Sequence, residues 1–91
     1  MERRAVRLRI TGIVQGVGYR YWAERRAREL GVDGWVRNCP DGSVELLVIG
    51  GEIEVERMVD ACRGGPPAAT VQLVQTLAAD DDGTVGFQAR A

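Results

Sequence analysis

The run Gly12-Ile13-Val14-Gln15-Gly16-Val17-Gly18-Tyr19-Arg20 sets three glycines just ahead of an arginine where a helical pattern begins. A helix start exposes unpaired N–H groups and a partial positive charge, so it favours a carboxylate and disfavours a guanidinium. An anion bound in the preceding loop would compensate Arg20. Glycines allow close backbone approach, free amides converge there, and the guanidinium offers a planar fork to phosphate oxygens. The stretch reads as a phosphate cradle. It is not a Walker loop, because no Lys-Ser/Thr follows, and Gly16-Val17-Gly18 lacks the third glycine of a dinucleotide fingerprint. The glycines alone leave a plainer reading open, in which they only turn the chain and Arg20 is an exposed residue with no partner.

What the chain lacks narrows the chemistry further. It has no histidine and all 12 of its basic residues are arginine. A Ser-His-Asp triad, a Walker lysine, a Schiff base and a histidine-ligated metal are therefore excluded. Cys39 and Cys62 are too far apart for a Cys-x-x-Cys pair and too few for a zinc site, so reduced, structural thiols are expected. Chemistry is left to arginine, amides, carboxylates and backbone.

Charge and length limit the partners. The net charge of −1 argues against a general polyanion binder, and the clusters Arg3, Arg4, Arg7, Arg9 and Asp80-Asp81-Asp82 read as solvated surface. No apolar run is long enough for a membrane span and the N-terminal arginines precede no signal-type apolar region. A cytoplasmic protein without membrane or nucleic-acid partners is expected, with residues 1–91 forming one small domain.

The elements that must position the cradle follow from periodicity. Val6, Leu8 and Ile10 alternate with Arg7 and Arg9, which predicts a half-buried strand ending near Ile13. Tyr19, Ala23, Ala27 and Leu30 recur at helical spacing, Glu24 faces Arg28, and Gly31 closes that helix. Gly34 to Asn38 predicts a second strand, Pro40-Asp41-Gly42 a turn, and Val44, Leu46 and Val48 a third strand. Glu52 and Glu54 open a second helix with the seam Val55, Met58, Val59 and Cys62, stopped by Arg63-Gly64-Gly65-Pro66-Pro67. Val71, Leu73 and Leu77 suggest a fourth strand; Val85, Phe87 and Ala89 suggest a last one.

The order β-α-β-β-α-β plus a terminal strand predicts an α+β, ferredoxin-like sandwich. Both helices should lie on one face of a four- to five-stranded antiparallel-type sheet, with the third strand between the parallel first and second. The loop after the first strand and the end of the second then share a sheet edge, two strand spacings or roughly 10 Å apart. Gly16 to Arg20 and Asn38 should face one another there.

The run GIVQGVGYRYW, followed by GWVRNCPDGSVELLVIG and GPPAATVQLV, resembles the paired signatures of the acylphosphatase family over almost the whole chain. The resemblance implies a small ferredoxin-like enzyme that hydrolyses the carboxyl-phosphate bond of acyl phosphates without metal or cofactor. By matching position it implies that the loop Gln15, Gly16, Val17, Gly18, Tyr19 binds the phosphoryl group through amides. Arg20 would be the phosphate-binding arginine and Asn38 would orient the attacking water. It also implies a small acyl phosphate as partner, inorganic phosphate as product and competitive inhibitor, and a monomer. Tyr19 stands where phenylalanine is usual in the family, and Cys39 where an aliphatic residue is frequent.

The chemistry agrees with that assignment. The released carboxylate has a conjugate acid of pKa about 4, so departure needs no general acid. Asn38 can hold a water but cannot deprotonate it, so a phosphate oxygen is expected to take the proton. Asp41 suits the turn and Glu45 a solvated strand face, which leaves neither as an evident base. Two other readings compete. An RNA-binding module of this fold would stack bases on aromatics of the central strands, but the exposed positions of the first and third strands are expected to be Arg7, Arg9, Glu45 and Leu47, with no aromatic. A non-catalytic anion-binding or regulatory module would keep the cradle and lack turnover. Trp22 and Trp35 are expected to pack or cover surface.

Overall fold

The computed structural model describes residues 2–91. Its elements are β1 (Arg3–Ile13), α1 (Tyr19–Leu30), β2 (Asp33–Asn38), β3 (Val44–Gly51), α2 (Glu52–Gly64), β4 (Thr70–Ala78) and β5 (Phe87–Arg90). They form one five-stranded sheet in the order β4-β1-β3-β2-β5. The third strand lies between the first and second, as the topology predicted.

Local pattern accounts for the elements. Val6, Leu8 and Ile10 turn their alternate face inward and are all but fully buried. Tyr19, Ala23 and Ala27 form the buried stripe of α1, and Gly31, in the left-handed region, ends the helix by donating its N–H to the carbonyls of Ala27 and Arg28. The buried seam of α2 is Val55, Met58, Val59 and Cys62. Both helices join β1, β2 and β3 in the main core, with Phe87 of β5 closing one side.

Four features depart from expectation. First, the sheet is mixed: β1, β3, β4 and β2 pair antiparallel, but β5 runs parallel to β2. The chain crosses from the β4 edge to the opposite edge, four strand spacings or roughly 19 Å, which eight extended residues can reach. Second, Leu47 is buried on the helix-free face, with Trp35 and Ile49, because Ala5 and Ala79 pack over that cluster. Glu45 is likewise no solvated residue. Its side chain is only 16% exposed and is held between Arg7 and Arg37.

Third, Leu73 and Leu77 are half exposed, while Val71 and Val74 pack on the core. A bulge between Thr11 and Gly12 shifts the β1–β4 register, so Val71 opposite Gly12 and Val74 opposite Ile10 share the inner face. Fourth, Val85 precedes β5 and is 85% exposed.

Candidate active site

The loop between β1 and α1 starts from a buried anchor, Val14, which is 1% exposed. Gln15 then donates its side-chain amide to the carbonyl oxygens of Cys39 and Ser43. Gly16 and Gly18 take φ of 73° and 81°, a region other L-residues resist, and a Cβ at either would meet open space. These glycines therefore serve backbone shape rather than tight packing. Val17 packs against the core.

Gly18 is the N-cap of α1. Among the described residues no side chain caps this helix, and its first turn contains no acid. The N-terminal amides are thus left for a ligand or water. Tyr19 anchors the first turn: its ring is buried against Trp22, and its hydroxyl donates to the Cys62 carbonyl at 2.7 Å. Burial pushes the Tyr19 phenol well above its ordinary range and pushes the Cys62 thiol up to about 12. Neither group is available as a base near neutral pH.

Arg20 is half-buried and is not locked in an ion pair among the described residues. One arm of its guanidinium donates to the carbonyl of Arg90 in β5 at 2.8 Å. Asn38 ends β2, opposite Val44 at the start of β3. The hairpin between them is fixed by the Cys39 N–H donating to the Ser43 carbonyl, and by Asp41 accepting from the backbone N–H and hydroxyl of Ser43. Asp41 also pairs with Arg9. These bonds, those to Ser43 foremost, hold the Asp41 carboxyl well below the usual carboxylate range, so it is a poor proton acceptor.

Gly16, Gly18 and Arg20 line one hollow of about 210 Å³ with Asn38, and Val14, Tyr19 and Tyr21 complete it. The sequence reading thus brought the glycines, Arg20 and Asn38 to one place. It gave no role to Tyr21, whose ring carries the Arg25 guanidinium at 5.6 Å. Nor did it foresee the Gln15 clamp or the Arg90 contact, which depend on strands remote in sequence. The hollow offers amide donors, one fork of N–H groups and a carboxamide, and no carboxylate lines it. A larger hollow of about 330 Å³ between α1 and α2 is edged by Arg25, Arg26 and Glu29, side chains without a glycine-opened backbone.

Comparison with known proteins identifies the family. The family model described as Acylphosphatase matches residues 6–89. An acylphosphatase of Thermococcus kodakarensis is 46% identical over 88 residues, covering 97% of each chain. One of Rhodospirillum rubrum is 58% identical over 64 residues, covering 70% of each. Among solved structures, the crystal structure of acylphosphatase from Bacillus subtilis superposes with a TM-score of 0.92 at 32% identity, covering 96% of this chain and 98% of that one.

Proposed function

The chain belongs to the acylphosphatase family, and on that premise we propose that the hollow at the start of α1 is where its acyl phosphate is held and cleaved. Its activity is hydrolysis of the carboxyl-phosphate bond. The phosphoryl dianion lies against the amides of Gln15 to Arg20, with Arg20 donating to its equatorial oxygens and Asn38 aiming a water at phosphorus. The water oxygen bonds to phosphorus as the bond to the acyl oxygen breaks. The carboxylate leaves unprotonated, and one water proton passes to a phosphate oxygen. Product phosphate occupies the same amides and so competes with substrate.

One observation carries this reading. An uncapped helix N-terminus, reached through two left-handed glycines, shares a single carboxylate-free hollow with Arg20 and Asn38. Substrate-assisted proton transfer is favoured because Asp41 and Glu45, the candidate bases that follow Asn38 in sequence, are both engaged by arginines. The helix-free face supports a small-molecule partner rather than RNA. Trp35 is only 6% exposed beneath Arg7, Arg37 and Arg90, so it offers no bare ring for a base. The same reading includes residues 1–91 acting as one monomeric unit in the cytoplasm; among the described residues no helix is long and apolar enough to cross a membrane.

The test is hydrolysis of a simple aromatic acyl phosphate in the presence of a chelator, run on wild type and Asn38→Ala with phosphate as inhibitor. Chelator-insensitive turnover that falls in the variant, with inhibition by phosphate retained, is expected. Phosphate binding without turnover in wild type would favour the non-catalytic module instead.

A further inference from the structure

Helix α1 presents Arg20, Glu24 and Arg28 at one-turn intervals, so their side chains share one face. All three end on the backbone of β5. The Arg28 guanidinium donates to the Phe87 carbonyl at 3.3 Å, the Glu24 carboxylate accepts the Ala89 N–H at 2.9 Å, and Arg20 donates to the Arg90 carbonyl at 2.8 Å. Phe87 and Ala89 are two apart in an edge strand, so both direct backbone groups to the edge that β2 does not use. Glu24 is the only acid in this row, and its side chain is 23% exposed, the more sheltered member of its pair with Arg28.

We propose that Glu24 is a positioning residue for Arg20, acting through β5. By taking the Ala89 N–H it holds the strand against α1, and the next residue's carbonyl then fixes one arm of the Arg20 guanidinium before any ligand arrives. An arginine side chain loses much rotamer freedom when it grips an anion, and fixing one arm beforehand removes part of that loss from the binding step. β5 has four residues and a ladder on one side alone, so without Glu24 its outer edge frays easily. The Arg90 side chain lies over Trp35 at 4.8 Å and ties the same residue to β2. This inference rests on the proposed role of Arg20 in holding phosphate.

The experiment measures phosphate affinity by calorimetry, with KM and kcat for an aromatic acyl phosphate, in wild type, Glu24→Ala, Glu24→Gln, Ala89→Pro and the Glu24→Ala/Ala89→Pro pair. Glu24→Ala and Ala89→Pro remove one hydrogen bond from opposite ends. Each should weaken phosphate binding about five- to tenfold, and the pair should lose no more than either alone. Glu24→Gln keeps an acceptor and should recover most of the affinity. The loss should appear in KM and the phosphate constant more than in kcat. Unchanged phosphate affinity in Glu24→Ala, or losses that multiply in the pair, would overturn the inference while wild-type turnover leaves the functional reading intact. Wild-type protein that neither binds phosphate nor hydrolyses the acyl phosphate would overturn both.

Discussion

The side-chain amide of Gln15 donates to the Ser43 carbonyl at 2.8 Å, and the same nitrogen reaches the Cys39 carbonyl at the same distance. One residue of the glycine loop is thereby tied to both ends of the turn that follows Asn38. The two halves of the proposed site, the amide cradle and the water-orienting carboxamide, are held in register by this clamp. It also explains why a glutamine stands among glycines and valines. The Gln15 side chain is the arm that reaches the β2–β3 turn, which leaves its backbone amide to the loop.

Replacing Gln15 by leucine should therefore lower kcat and also lower stability by about 1–2 kcal/mol. The stability cost stays moderate because both carbonyls keep a backbone donor, Gly42 for Cys39 and Cys39 for Ser43. Gln15→Glu should be worse, since carboxylate oxygens would face two carbonyl oxygens. Urea denaturation and steady-state kinetics on both variants check this; glutamate matching wild type would discard the clamp.

Arg20→Lys keeps the charge and loses the fork. It also loses the geometry that lets one arm bind the Arg90 carbonyl while the side chain still lines the hollow. Phosphate affinity and kcat/KM should each fall at least about tenfold. Inhibition constants for phosphate, measured beside turnover, provide the check.

Asn38→Ala should separate binding from chemistry. Inhibition by phosphate should persist because the loop amides and Arg20 are untouched, while kcat drops about 10²-fold or more. Turnover equal to wild type would remove Asn38 from the mechanism.

Stability should fall at both ends of the pH scale for identifiable reasons. Asp41, Asp81 and Asp82 have carboxyls held below their ordinary range by hydrogen bonds and arginine partners. Their contribution is complete above about pH 4 and is lost as pH falls through the lower native values. Asp41→Asn should flatten part of that acid limb. At the alkaline end the Cys62 thiol stays neutral in the native state up to about 12, against an ordinary 9.0. As pH rises from about 9 towards 12 the unfolded chain ionises this thiol and the native chain does not, so stability declines by up to about 1.4 kcal/mol per pH unit. Cys62→Ala should start from a lower stability and show a shallower decline. Denaturation midpoints across pH 2–5 and 8–11 measure both limbs.

Much of this was legible before any coordinates. The alternation of Val6, Leu8 and Ile10 marks a strand, and the α1 bounds and α2 seam follow from helical spacing and the glycines beyond, because a helix face is decided within a few residues. The meeting of the glycine run, Arg20 and Asn38 was readable for a different reason: the topology brings the ends of β1 and β2 to one end of the sheet. The faces of Leu47, Leu73 and Leu77 were not. Leu47 is covered by a segment that arrives from after β4, and the two β4 leucines lie opposite Arg7 and Thr11 on the outer face while the bulge beyond Leu73 turns Val71 inward. No short window contains both partners of either event.

What the amino-acid order alone determined is the list of elements, the inward face of each helix, and the chemistry left to a chain of arginines, amides, carboxylates and backbone. Tertiary structure decided which backbone groups those side chains meet. Gln15 finds the β2–β3 turn, Arg20 and Glu24 find β5, and Trp35 finds the guanidiniums of Arg7 and Arg90, because these contacts join residues brought together only when the sheet assembles. Periodicity reports which way a side chain faces. Only the packed sheet reports what waits there.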